Sequence, residues 1–296
     1  MERWFKLTRK LRKARRVFFI TLALNLAVAG GKLACGFVTG TLSMVADGFH
    51  SLLDATSNVV GIAGLTIALK PPDKGHPYGH RKFEAIGSII ISFFMFFASF
   101  EVLREAVERI VDGLQAVPQV GPVSYLVMLA TMAINIGVSR YESRQGRELK
   151  VSLLVADSKH TLSDVFVSLT VIATLIAIQL HWPALDVVAS ILIVGFILKA
   201  GFDIIMSHLG VLVDAAVVDE EAVRELVLNV PGVTGCHKIR SRGSDDHVFV
   251  DLHVQVPAHL SIRDAHAISY RVEDELKSAW GGFVDVLVHV ENEGDK

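Results

Sequence analysis

The sequence predicts an α-helical membrane protein of six transmembrane helices followed by a small α+β domain, and three observations carry that prediction. Of 296 residues, 51% are hydrophobic and only 20% are charged, whereas soluble domains average about a quarter charged. The apolar excess lies before residue 213, in runs that reach the roughly 20 residues needed to cross a bilayer. After it, alternating and amphipathic patterns of ordinary length take over.

The runs place spans at 16–38, 42–69, 84–108, 121–140, 152–180 and 184–208. Only Thr39, Gly40 and Thr41 separate the first two, and only the turn around His181, Trp182 and Pro183 separates the last two. Fusing either pair would give a helix far longer than the membrane is thick. The apolar run after residue 16 exceeds the core of a signal peptide, so the first span is expected to stay in the mature protein. The expected division is a transport domain at 1–213 and a cytoplasmic domain at 214–296.

Basic residues set the orientation. Eight Lys or Arg fall within the first sixteen positions. Lys70, Lys74, Arg81 and Lys82 follow span two, and Arg140, Arg144, Arg147 and Lys150 follow span four. By the positive-inside rule both termini are cytoplasmic, and the basic N-terminus is a topology signal, not a nucleic-acid-binding arm. Cys35 in the first span and Cys236 in the tail fall on opposite sides of the membrane boundary, so no disulfide framework is indicated.

An internal repeat stands out within the apolar part. Val45-Ala46-Asp47-Gly48-Phe49-His50-Ser51-Leu52-Leu53-Asp54 matches Val155-Ala156-Asp157-Ser158-Lys159-His160-Thr161-Leu162-Ser163-Asp164. The copies lie three spans apart and therefore cross the membrane in opposite directions, the pattern of an inverted repeat with its site near the midplane. His50 and Asp54 are four apart, so they share a helix face, and His160 and Asp164 repeat the arrangement. Each motif begins roughly 12 Å inside its span. Charges at that depth cost about 2.5 kcal/mol or more each, and a bound dication gives four such residues a common purpose.

Two imidazoles and two carboxylates suit tetrahedral zinc, with cobalt or cadmium close behind. Magnesium and calcium prefer oxygen cages, and copper(I) prefers sulfur. Iron and manganese stay open as substrates. Metal binding needs neutral histidine and ionised aspartate, so protons compete with metal for the same atoms, which predicts metal–proton exchange. Asp47 and Asp157, one turn before each histidine, can orient an imidazole or accept a relayed proton; a helix-packing role stays open for both. Lys32 lies near the outer end of span one, where its stem lets the ammonium reach the interface.

These residues resemble the cation diffusion facilitator family of zinc-transporting proton antiporters, over nearly the whole chain. The resemblance implies six spans, a metallochaperone-like cytoplasmic domain that dimerises, and a midmembrane site at His50, Asp54, His160 and Asp164. Bacterial members tend to carry aspartate at the first position, where this chain has His50; two histidines with two aspartates are similar to the zinc-selective variant. The family's loop site falls on Asp73, His76 and His80, three donors within eight residues beside proline and glycine that can close a small chelate. The resemblance also implies an ion pair of Lys82 with Asp214, pinning the tail at the dimer hinge.

In the tail, Asp219 is placed to cap a helix through about Leu228, and Ser261 with Asp264 begins a second helix to about Ser278. Val248 to Val256 alternates as a strand, with another near Val284 to Val290, giving helix, strand, strand, helix, strand. The resemblance places tail metal ligands at His237, His253, His266, His289 and Glu291, although relatives often have aspartate at the last. Residues 289 and 291, two apart on a strand, point to one face. Cys236 is expected to be a buried small hydrophobe.

The function expected is therefore efflux of zinc, as substrate and as regulatory ion, in exchange for protons, by a homodimer in a bacterial cell membrane. A tethered metal sensor would explain the tail histidines but not the mirrored membrane residues. An intramembrane hydrolase would need an open ligand position for water, and no His-Glu-x-x-His is present. A passive channel is distinguished by flux that needs no pH gradient.

Overall fold

A computed structural model describes residues 2–39, 42–111, 122–179, 183–244, 247–280 and 283–294, with some helical side chains, including those of Asp47 and His50, outside the described residues. The chain divides into two compact units, Met1–His208 and Leu209–Lys296. The division falls slightly before the expected one.

The first unit contains α1 (Glu2–Thr39), α2 (Leu42–Ala68), α3 (Lys82–Val111), α4 (Pro122–Leu149), α5 (Ser152–Gln179) and α6 (Pro183–Leu212), the last extending into the second unit's range. Six helices stand where six spans are expected. Several run past their apolar segments: α1 begins at Glu2 and α4 continues to Leu149. A helix need not stop where hydrocarbon stops, and these added turns carry the basic residues that mark the loops. Among the described residues, Arg9–Cys35, Lys82–Arg104 and Ile191–Leu212 are long and apolar enough to cross a membrane. The turn expected at His181 and Trp182 lies outside the described residues, but Pro183 opens α6, a first-turn position where its missing N–H costs nothing.

Close packing requires glycine at some positions in these helices. Phe18 of α1 fills the space above Gly61 of α2, where a Cβ would collide with the ring; small residues let apolar helices approach when water supplies no drive between them. Phe18 joins Leu11, Leu65, Ile91, Leu153 and Leu154 in one buried cluster. Met95, Ala156, Ile197 and Ile204 tie α3, α5 and α6 together in another. Phe37, Phe93, Phe97, Phe100, Leu126 and Leu192 face outward, an apolar surface suited to lipid and ill suited to water.

One polar contact joins two helices end to side. Glu84, buried in the first turn of α3, accepts hydrogen bonds from the backbone N and the Oγ of Ser152 at 2.7 and 2.8 Å. Ser152 opens α5, so a carboxylate from another helix satisfies donors that the helix start leaves unbonded.

The second unit holds α7 (Glu220–Leu228), β1 (Gly235–Ser244), β2 (His247–Val256), α8 (Ile262–Trp280) and β3 (Phe283–Asn292). This is the expected order. Asp219 caps α7 by accepting from Glu221 N, and Ser261 Oγ accepts from Asp264 N at 3.2 Å at the start of α8. The sheet order is β1-β2-β3, with β1–β2 antiparallel and β2–β3 parallel. Val250, Leu252 and Val254 bury one sheet face against Val223 and Val227 of α7 and Ile268, Val272 and Leu276 of α8. The opposite face carries the histidines.

Candidate metal centre

The helix faces predicted by the fourfold spacing come together. One ligand atom each from Asp54, His160 and Asp164 lies within 4.8 Å of the others, so α2 and α5 bring three of the four expected ligands into reach of a single ion. His50, the fourth, has a side chain outside the described residues. His160 is buried, and its Nδ1 has no hydrogen-bond partner among the described residues. Asp164 lies in the field of Asp54, Asp157 and the Lys32 ammonium. Two carboxyl groups and an imidazole brought to one point form a donor set for a divalent transition metal.

One neighbour behaves differently from expectation, and a second makes contacts that fit one of the roles left open for it. Lys32 does not reach outward: it is 7% exposed and its Nζ donates to Ser51 Oγ at 2.9 Å, because Ser51 on the facing helix offers an acceptor nearer than the interface. Asp157 bonds across the helices. Its Oδ2 accepts from Asn58 Nδ2 at 2.6 Å, and Asn58 Oδ1 accepts from Asn25 Nδ2 at 2.8 Å, so Asp157 anchors a chain of amides across α1, α2 and α5. Asp47, its counterpart in the repeat, lies outside the described side chains.

Asp73, His76 and His80 form a second group of donors within 4.8 Å of one another. The loop folds on Asp73: Oδ1 accepts from Gly75 N at 2.9 Å and His76 N at 2.7 Å, an Asx-type turn that these short side chains favour. The His76 backbone N–H, ahead of the imidazole contacts, holds the Asp73 carboxyl below the usual carboxylate range. His80 Nε2 is 3.5 Å from Asp73 Oδ2, and the two imidazole centroids are 4.3 Å apart.

In the tail, strand register assembles a third group. His237 on β1 pairs with His253 on β2, which pairs with His289 on β3, so three imidazoles stand in one row across the sheet. Glu291, two residues along β3, reaches back to all three: 3.0 Å to His237 Nε2, 2.6 Å to His253 Nδ1 and 3.6 Å to His289 Nε2. The hydrogen bond from His253 is the chief reason that the Glu291 carboxyl lies below its ordinary range. His237, His253 and Glu291 form the compact trio, while His289, 64% exposed, stacks on His253 at 4.6 Å.

His266 is not part of this group among the described residues. It sits exposed on α8, its ring 4.7 Å from Tyr270, because α8 covers the sheet face opposite the histidines. Cys236 also turns away, into the core, where burial pushes its thiol up to about 11. Lys82 opens α3 and Asp214 follows α6 with a φ of +57°; they belong to different units, each described by itself. Motif spacing gives no hint of Glu142, Asn58 and Glu84. Buried acids and amides in otherwise apolar helices are the signal that marks them.

The comparisons agree with this layout. The profile of the cation efflux transmembrane domain matches residues 18–213, and that of the cation efflux protein cytoplasmic domain matches 217–293. An uncharacterized transporter of Methanocaldococcus jannaschii is 32% identical over 90% of this chain and 95% of its own. The manganese efflux system protein MneS of Bacillus subtilis is 30% identical over 90% and 92%, and the cation-efflux pump FieF of Pectobacterium atrosepticum is 28% identical over 85% and 83%. The solved structure MamM-CTD covers 25% of this chain and 94% of its own at 22% identity and a TM-score of 0.24. The chain therefore belongs to the cation diffusion facilitator family, and is an integral membrane transporter that exports metal cations, not an enzyme.

Proposed function

We propose that this protein exports zinc from the cytoplasm in exchange for protons, by alternating access in a homodimer. The convergence of Asp54, His160 and Asp164 between mirrored helices carries the reading, with His50 as fourth ligand. Imidazole donors favour zinc over harder ions. Protons drive release because each ligand atom binds either a proton or the metal. Both termini are cytoplasmic, residues 1–213 transport, and residues 214–296 dimerise and sense metal. Asp73, His76 and His80, and His237, His253, His289 and Glu291, bind regulatory zinc that biases the dimer; His266 serves that site only if a partner subunit presents it. Lys82 pairs with Asp214 at the hinge.

Manganese is the second reading, favoured by relatives described as manganese efflux proteins. The deciding experiment is metal flux in proteoliposomes across an imposed pH gradient, with zinc and manganese offered separately and together. Zinc flux that follows the gradient and outcompetes manganese supports the first reading; manganese flux that zinc does not displace supports the second. Flux of neither, or flux indifferent to pH, defeats proton-coupled export.

A further inference from the structure

Beside the metal residues lies a second polar layer that coordination does not require. Asn58 comes four residues after Asp54 on α2, and Asp157 three residues before His160 on the antiparallel α5, so both lie about 5 Å to the same side of the site. That side is the one where Glu84 caps α5, cytoplasmic in the proposed orientation. Glu142 of α4 completes the layer. Glu142, Asp157 and Asn58 are each 0% exposed.

The two carboxyl groups are within hydrogen-bonding distance of each other. Glu142 Oε1 and Asp157 Oδ1 find no donor among the described residues, while the remaining oxygens are satisfied: Glu142 Oε2 accepts from Thr161 Oγ1 at 3.3 Å and Asp157 Oδ2 from Asn58. Around the pair, α1 contributes Thr21 and Asn25, α2 Ser57 and Asn58, and α5 Thr161. The titratable neighbours are His160 and Asp164, and neither carboxyl pairs with a lysine or arginine among the described residues. Two facing carboxylates cannot both stay ionised in a dry interior. One shared proton turns their repulsion into a strong charge-assisted hydrogen bond.

We propose that Glu142 and Asp157 hold one proton between them, forming a proton-binding seal on the cytoplasmic side of the metal site and outside the set of metal ligands. The inference rests on the antiport reading for its role in transport. In the closed arrangement, a proton that has entered through the emptied site is held by the pair, one helical turn away. When the helices part toward the cytoplasm, water enters, the carboxyl gives its proton to water, and the two carboxylates repel, which keeps the entrance open for metal. Entry of metal and release of the proton are thereby linked without competing for one atom.

The test uses the full-length protein and Glu142→Gln, whose amide still donates to Asp157 but cannot ionise. Its melting temperature and zinc affinity stay near those of wild type. Zinc flux falls by about tenfold or more and loses its dependence on cytoplasmic-side pH, and the infrared band of a protonated carboxyl seen in wild type is lost. A variant that matches wild type in flux, pH profile and infrared band overturns the proposal. If wild type shows no gradient-driven flux, the antiport reading fails separately and the infrared comparison alone decides whether the pair holds a proton. Should Glu142→Gln not fold, Asp157→Asn supplies the same infrared comparison.

Discussion

The membrane site and the sheet site use the same side chains in opposite surroundings. Asp54, His160 and Asp164 converge inside a helix bundle, with the imidazole of His160 buried and its Nδ1 without a partner among the described residues. His237, His253 and Glu291 converge on an open sheet face, where His253 Nδ1 and Glu291 Oε1 are hydrogen-bonded at 2.6 Å and His237 Nε2 lies 3.0 Å from Glu291 Oε2. In the tail an internal carboxylate faces the imidazoles and is hydrogen-bonded to one of them. In the membrane site Asp164 instead lies in the field of Asp54, Asp157 and the Lys32 ammonium. Under the proposed function, the buried site exchanges its occupant and the sheet site registers it.

The sharpest way to break this contrast is to remove a ligand from each side. Asp164→Ala is expected to reduce metal flux in proteoliposomes at least 100-fold, the upper end of what even an outer-sphere partner costs, with the helical circular dichroism unchanged. Glu291→Ala is expected to weaken metal binding to the tail by about 10- to 100-fold while the maximal flux changes far less; equilibrium binding to full-length protein already carrying Asp164→Ala isolates that site. Equal losses of flux in the two variants would erase the distinction.

Smaller effects sharpen it. Asn58→Ala leaves Asp157 and Asn25 short of a partner in a buried layer and is expected to cost about 1–3 kcal/mol, read as a lower melting temperature in detergent. The Glu291 carboxyl, held below its ordinary range by His253, adds stability that is present above the unfolded carboxylate value of about 4.3 and is lost as pH falls through the lowered folded value. Wild type should therefore melt above Glu291→Gln at pH 7, with the gap closing in strong acid. A gap that widens on acidification would contradict the assigned cause. Cys236, with its thiol raised by burial to about 11, should resist thiol reagents at neutral pH until the tail unfolds.

Much of the molecule is legible in its sequence because helices and strands have fixed periods. Fourfold spacing by itself puts His160 and Asp164 on one helix face, apolar runs count the helices, and alternation from Val248 to Val256 locates β2. What escapes such periods depends on partners distant in sequence. The row His237–His253–His289 needs two strand registers, and the β1–β2 register shifts at a bulge between His237 and Arg240. Glu142 lies just beyond the apolar run of its span, where it reads as loop charge, and only the meeting of α4 with α5 brings it to Asp157. Lys32 has the stem to reach the interface, but the acceptor that holds it back, Ser51, belongs to another helix. His266 lies on the helix that shields the other side of the sheet.

The hydrogen bonds of Glu84 to the first residue of α5 have a mechanical meaning. Sliding α5 along its axis would strip Ser152 of both contacts at once, so α3 and α5 are tethered as a single lever. The loop bearing Asp73, His76 and His80 ends where α3 begins. A movement of that end of α3 would therefore be shared by α5, the helix that carries His160 and Asp164.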